Sequence, residues 1–181
     1  MEHGARNTLL LLNRQRVRRV NVRLLRVVAL SLLADLSGLE HFELGIHLVA
    51  APEMATLNET FLGHPGSTDV ITFNHSDSQT RLHGELFVCV DDAVKQAGQF
   101  RSTWEAEVVR YVVHGVLHLR GFDDLSAAAR RVMKREENRV VRELAKRFTL
   151  GRLASGEAVS SKLKAQRKLQ ASSSKPGSRR A

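Results

Sequence analysis

The chain has 181 residues, room for one domain with an appendage. Its 43% apolar content supports a core, its single cysteine excludes a disulfide framework and a cysteine zinc site, and its apolar runs fall short of the roughly 20 residues a membrane helix needs. The formal charge of +9 is uneven, with +7 on residues 148–181 and +2 on residues 1–147. We therefore expect a nearly balanced domain over residues 1–148 and a basic, disordered tail over 149–181.

Such a tail attracts polyanions through counterion release, whatever their sequence. An arginine cluster inside the domain (Arg14, Arg16, Arg18, Arg19, Arg23, Arg26) favours nucleic acid among them. Residues 9–12 are too short for a signal-peptide core and are followed by arginines, so the chain reads as cytoplasmic.

Residues 8–12 read as a short buried strand. Residues 20–36 are apolar on most faces and stop at Ser37-Gly38, as a buried helix ended by glycine would. Residues 44–50 alternate, with Leu44, Ile46, Leu48 and Ala50 on one face of a strand. Pro52 suits the first turn of a helix reaching about Leu62, followed by a loop over 63–67 and a strand over 69–73. The polar stretch 74–82 reads as a mobile loop. Residues 85–90 are apolar on both faces, as in a central strand, with Cys89 a small buried hydrophobe. Asp91 or Asp92 should cap a helix to about Arg101. Thr103 starts another helix, which Gly121 ends, and residues 126–147 form a long charged helix with Val132, Met133, Val140, Val141 and Leu144 inward. The order β-α-β-α-β-β-α-α-α describes an α+β domain with one sheet.

The chemistry concentrates in His114-Gly115-Val116-Leu117-His118-Leu119-Arg120-Gly121-Phe122-Asp123-Asp124. Imidazoles at i and i+4 project from one helical face. Gly121 can take positive φ and turn the chain back, so Asp124 can close a third corner. Two His and one Asp suit Zn²⁺ with the fourth position left for water, whose pKa such an ion lowers to about 7. The same donors also accept Ni²⁺, Mn²⁺ or Fe²⁺. Burying these groups without a metal would be costly. The spacing also fits an extended zinc-peptidase pattern, but Gly115 stands where that pattern needs its glutamate base. Glu107, at i−7 from His114, reads either as a hydrogen-bond partner for an imidazole or as a first-turn acid.

With glycine at 115, the sequence resembles the YbeY family of bacterial rRNA-maturation endoribonucleases, matching its H-G-x-L-H-L-x-G-[YF]-D-H signature at all but the last position. Leu57-Asn58, the segment Ser67-Thr68-Asp69-Val70-Ile71-Thr72-Phe73 and Gly84-Glu85-Leu86 are similar to further family stretches, in order. The resemblance implies a mixed four-stranded sheet flanked by helices, with the metal cleft over the sheet. It also implies a zinc-dependent, single-strand-specific endoribonuclease acting on rRNA of the small ribosomal subunit, with one Zn²⁺ per chain. His114 and His118 carry over as ligands; Asp124 stands where most members have His, beside Asp123, which matches the family's own Asp. Thr68 and Asp69 are candidates to line the cleft, or else a cap at the start of the strand. One departure matters: Leu62 replaces the arginine that opens the family's R-G-K-D loop, which leaves Arg81 or His64 as substitutes. An RNA-binding factor on the ribosome with little catalysis is the alternative, and a metallopeptidase-like hydrolase the third reading.

Overall fold

In the computed structural model, which describes residues 7–78 and 80–154, the elements are β1 (Thr8–Asn13), α1 (Val22–Ala34), β2 (His41–Val49), α2 (Ala51–Leu62), β3 (Val70–Asn74), β4 (Arg81–Cys89), α3 (Val90–Phe100), α4 (Trp104–Leu119) and α5 (Ala127–Arg147). A 3-10 turn at Leu150–Leu153 follows. This is the α+β order read from the sequence. The strands lie in the order β1-β2-β4-β3; β1, β2 and β4 are parallel and β3 runs antiparallel to β4. The sheet is mixed and four-stranded, as the resemblance implied.

Alternation in β4 separates the two faces of the sheet. Leu82, Leu86 and Val88 join the main core with Leu44, Ile46 and Leu48 of β2, under α1, α4 and α5. Phe87 and Cys89 point the other way and pack with Val49, Ile71 and Met54 of α2. Cys89 is fully buried, and burial pushes its thiol up to about 12. It is a packing residue.

Helix α4 lies against the sheet at unusually short range, and two glycines permit it. A Cβ on Gly84 would sit 2.5 Å from the Phe73 carbonyl oxygen and 2.7 Å from Leu119 Cδ2. A Cβ on Gly115 would sit 2.6 Å from Leu86 Cδ2, inside the core. Position 115 therefore faces the sheet.

Several expectations need correction. The strands β2 and β4 begin at His41 and Arg81, earlier than expected, and the presumed loop 74–82 gives up Asn74, Arg81 and Leu82 at its ends to strands. Backbone pairing of His41 with Arg81 and Phe42 with Leu82 outweighs the polar side-chain pattern there. The first strand is an edge strand, with Leu9 buried but Leu10 and Leu12 exposed. Helix α3 is not capped by Asp91 or Asp92, since Cys89 holds the cap position without a side-chain bond. Asp91 Oδ2 instead accepts from Ala51 N at 2.7 Å, satisfying the start of α2, whose own cap residue Ala50 has no side-chain acceptor. Val132, expected inward, is exposed, because the buried stripe of α5 runs through Met133, Glu137, Val140, Val141 and Leu144. Two arginines of the cluster serve the fold: Arg14 pairs with Glu53, and Arg26 donates to the Leu9 carbonyl. Finally, the packed domain continues past residue 149. Leu150 and Leu153 are buried, and Asn21 N donates to Leu153 O at 2.8 Å. The expected tail from residue 155 onward lies outside the described residues.

Leu153→Ala should cost about 2–5 kcal/mol of stability by urea denaturation, as core leucine truncations do. A chain ending at Phe148 should be less stable than one ending at Ala154. Gly115→Ala and Gly84→Ala should each destabilise by about 1–3 kcal/mol or more, from overpacking, with Gly84 the worse because a backbone oxygen cannot move aside.

Candidate metal centre

Helix α4 starts where Thr103 Oγ1 accepts from Ala106 N at 3.3 Å. It stops at Gly121, whose φ of 85° suits the left-handed conformation that glycine tolerates. Gly121 N then reaches His118 O at 2.9 Å and Phe122 N reaches Leu117 O at 3.0 Å, closing the helix end. The returning chain brings the Phe122 carbonyl to His118 Nδ1 at 3.0 Å. Asp123 Oδ1 accepts from Asp124 N at 2.8 Å and Leu125 N at 3.1 Å, a side-chain turn that sets the direction of the loop. Arg130 Nε, from α5, holds the Asp124 carbonyl at 3.2 Å.

These local devices bring His114, His118 and Asp124 together. His114 Nε2 and His118 Nε2 are 3.0 Å apart, and Asp124 Oδ2 lies 3.8 and 3.9 Å from them. A tetrahedral ion with bonds of about 2.0–2.1 Å separates its ligand atoms by roughly 3.3 Å, within this spread. Asp123 has its carboxylate in the turn and is not part of the cluster.

The protonation pattern fits a cation. His114 Nδ1 faces Glu137 Oε2 at 3.0 Å and His118 Nδ1 faces a carbonyl. Both partners only accept hydrogen bonds, so each neutral ring carries its proton on Nδ1 and presents a bare Nε2 lone pair. Two lone pairs at 3.0 Å with a carboxylate oxygen beside them need a positive charge between them. Without a metal, a proton can supply part of it. Burial opposes a charged His114, but the Glu137 bond and charge, with Asp69 and Asp124, raise its pKa.

Glu137 is the residue that sequence reasoning missed. Burial alone would lift its carboxyl, but bonds from His114 and Arg110 hold it below the ordinary range. Arg110 also donates to Asn138 Oδ1 at 2.8 Å and lies 3.5 Å from Glu107. Glu107 itself takes the Ser102 hydroxyl at 2.5 Å and meets no imidazole, so of its two readings the partner role falls to Glu137. A signal was available: Glu137 interrupts the inward stripe of α5 between Met133 and Val140, and it is buried.

The cleft around these groups is lined by residues of α4 and α5 together with Asp69, Gln96 and Phe100. Asp69 is thus in the cleft, while its Oδ1 accepts from Thr68 Oγ1 at 3.0 Å and Val70 N at 2.9 Å. Both readings of that acid hold. Thr68 lines an adjoining groove with Lys95 and Gln99 rather than the cleft. Tyr111 borders both spaces, while its hydroxyl is buried and without a hydrogen-bond partner; burial first, then Asp69, hold the phenol well above its usual range. Leu62 and His64 are exposed and line neither space. Arg81 borders a separate cavity with His41, His75 and His83, so neither suggested substitute for the missing arginine stands at the metal cluster. Gly115, turned to the sheet, could not present a catalytic base to this cleft.

Two substitutions test the geometry. Glu137→Gln should weaken divalent-metal affinity roughly 10- to 100-fold, the usual cost of losing a ligand's outer partner, as read by competition with a chromogenic chelator. Asp124→Asn should strip metal more than Asp123→Asn, because the amide oxygen introduced at position 123 can still accept the two turn bonds. The reverse ranking would move the third ligand to Asp123.

The chain is similar to known proteins over most of its length. The family model described as Endoribonuclease YbeY matches residues 11–145. A Chlorobium phaeovibrioides protein named Endoribonuclease YbeY is 40% identical over 91 residues, which cover 50% of this chain and 61% of that relative. Relatives of the same name from Finegoldia magna and Salinibacter ruber are 28% and 32% identical, covering 65% and 58% of this chain and 78% and 71% of theirs. The solution structure of TM1509 from Thermotoga maritima superposes with a TM-score of 0.57 at 23% identity, covering 95% of this chain and all of that one, a likeness of fold. With the family's pattern matched over most of the chain, this protein belongs to the YbeY family.

Proposed function

We propose that the chain is a zinc-dependent, single-strand-specific endoribonuclease acting in the cytoplasm on rRNA of the small ribosomal subunit, in its maturation and quality control. One zinc ion per chain would be held by His114, His118 and Asp124. The observation that carries this reading is the convergence of two imidazole lone pairs and a carboxylate oxygen, with both Nδ1 protons committed elsewhere. Zinc bound there supplies Lewis-acid polarisation of a phosphodiester oxygen and acidification of water.

The chain's own residues do the rest. Glu137 and the Phe122 carbonyl fix the ring orientations of the two histidines, and Arg110 keeps Glu137 ionised. Asp69 lies in the cleft as a carboxylate suited to orient water. Thr68 supports Asp69 through its hydroxyl.

A second reading, an RNA-binding factor on the ribosome with little turnover, is favoured by one observation. Leu62 ends α2 exposed and uncharged, so the arginine expected to steady a phosphate is absent from that helix end. Labelled single-stranded RNA, duplex RNA and casein, each with and without chelator, separate the readings. The nuclease predicts chelator-sensitive cutting of single-stranded RNA alone, abolished in His114→Ala/His118→Ala together with its metal by elemental analysis. Binding without cutting supports the second reading, and unchanged metal content in the double variant removes the metal site altogether.

A further inference from the structure

The cleft that holds the cluster is internally acidic. Asp69, Glu107, Asp124 and Glu137 all line it, against Arg110, Arg130 and Lys134, and Arg110 is already paired with Glu107 and Glu137. A dication offsets part of this charge, but a polyanion approaching the cleft still needs cations at its rim. The rim cations come from one element. Arg130 and Lys134, from the first half of α5, line the cleft, and the same two residues line a second, open groove that continues outward past Arg131 and Arg135. Asn138 also borders both spaces, so the groove is an extension of the cleft along the helix.

The charges of α5 are treated differently along its length. In its second half, Arg139 pairs with Glu136, Lys146 with Glu143, and Arg147 with Asp35 at the end of α1, while Arg142 donates to the Asn138 carbonyl at 3.0 Å. In its first half, Arg130, Arg131, Lys134 and Arg135 are exposed, and no acid lies within salt-bridge distance of any of them among the described residues. Residues 130 and 134 lie one helical turn apart, as do 131 and 135, giving two rows of positive charge about 6 Å long at 1.5 Å per residue. Neutralised cations serve the fold; a run of unneutralised ones leading out of an acidic cleft presents charge to something outside it.

We propose that the first half of α5 is the phosphate track of this protein, where Arg131, Lys134 and Arg135 hold the backbone of a single-stranded RNA as it leaves the metal cleft. The track takes over the anion-holding charge that Leu62 does not provide. Arg130 has two duties, since its Nε also positions the Asp124 loop. The contacts are to phosphates, so they set affinity and path without reading sequence. The inference rests on the RNA reading of the site, but it assigns the contacts to a surface on which that reading does not depend.

The test compares two charge-matched variants of the full chain, both confirmed as folded by circular dichroism. Arg131→Gln/Lys134→Gln removes two track cations; Arg139→Gln/Lys146→Gln removes two paired cations from the same helix. Binding of a fluorescent oligouridylate is followed by anisotropy across a salt series, with chelator present so that no cutting intervenes. Each phosphate contact to a single strand contributes about 0.7 to the slope of log affinity against log salt, so the track variant should lose about 1.4 from its slope. The paired-cation variant should lose less than half of that, while the basic C-terminal run contributes equally to both. Equal losses would show that only net charge matters, and an unchanged slope in the track variant would place the RNA elsewhere; either overturns the proposal. If the unmodified chain binds through the track yet cuts no RNA in the metal-loaded assay, the nuclease reading fails and the track stands.

Discussion

The close approach of α4 to the sheet is the constraint from which the site follows. With no side chain at 84 or 115, α4 settles against β4 at a distance that a Cβ at either position would prevent, through Leu119 over Gly84 and Gly115 over Leu86. That contact buries Leu119 against the sheet and leaves His114 facing Glu137 of α5 and His118 facing the Phe122 carbonyl of the returning chain. A helix held farther out would carry the same two histidines, but not at the depth where Glu137 and the returning loop can reach them. Packing at Gly115 and ligand geometry at His114 are in this sense one requirement. The glycine that excludes a peptidase-type glutamate is needed by the core.

The metal cluster is then assembled from two scales of interaction. Gly121 and the Asp123 turn are local, and they return the chain so that Phe122 and Asp124 face the imidazoles. Glu137 and Arg110 meet across two helices, 27 residues apart, and their pairing keeps a buried carboxylate ionised opposite His114. A buried charge left alone would cost several kcal/mol, so Arg110, Glu137 and His114 form a unit in which each member makes the next tolerable. The arrangement pre-sets the ring tautomers before any ligand arrives, which reduces the reorganisation that binding would require.

Charge is sorted within α5 as well as around it. Its second half closes ion pairs with its own acids and with Asp35 just past α1, which helps fasten the long helix to the domain, although exposed pairs of this kind each contribute little. Its first half keeps its cations open beside a cleft whose interior is acidic. The end of α2, where Leu62 is exposed and uncharged, lines neither the cleft nor this groove, so the positive charge at their rim comes from α5.

Much of this was legible in the sequence because it is local. The alternation in residues 85–90, the i,i+4 histidines, the glycine after Arg120 and the aspartate three residues beyond it follow from backbone geometry, which needs no distant partner. The family's motif order fixed the fold class by similarity. Where the sequence misled, a long-range contact had won: β4 extends back to Arg81 because β2 offers hydrogen bonds to it, Asp91 caps a neighbouring helix in place of its own, and Leu150 and Leu153 find a core that their polar neighbours disguise. Glu137 was visible only as a carboxylate on an apolar stripe, and its partner was not, because two residues 23 apart in sequence meet only when α5 packs on α4. The sequence by itself determined which residues can bind a metal. Only the tertiary structure decided which acid supports them and which cations border them, since hydrogen bonds and charges across helices depend on distances that no spacing along the chain encodes.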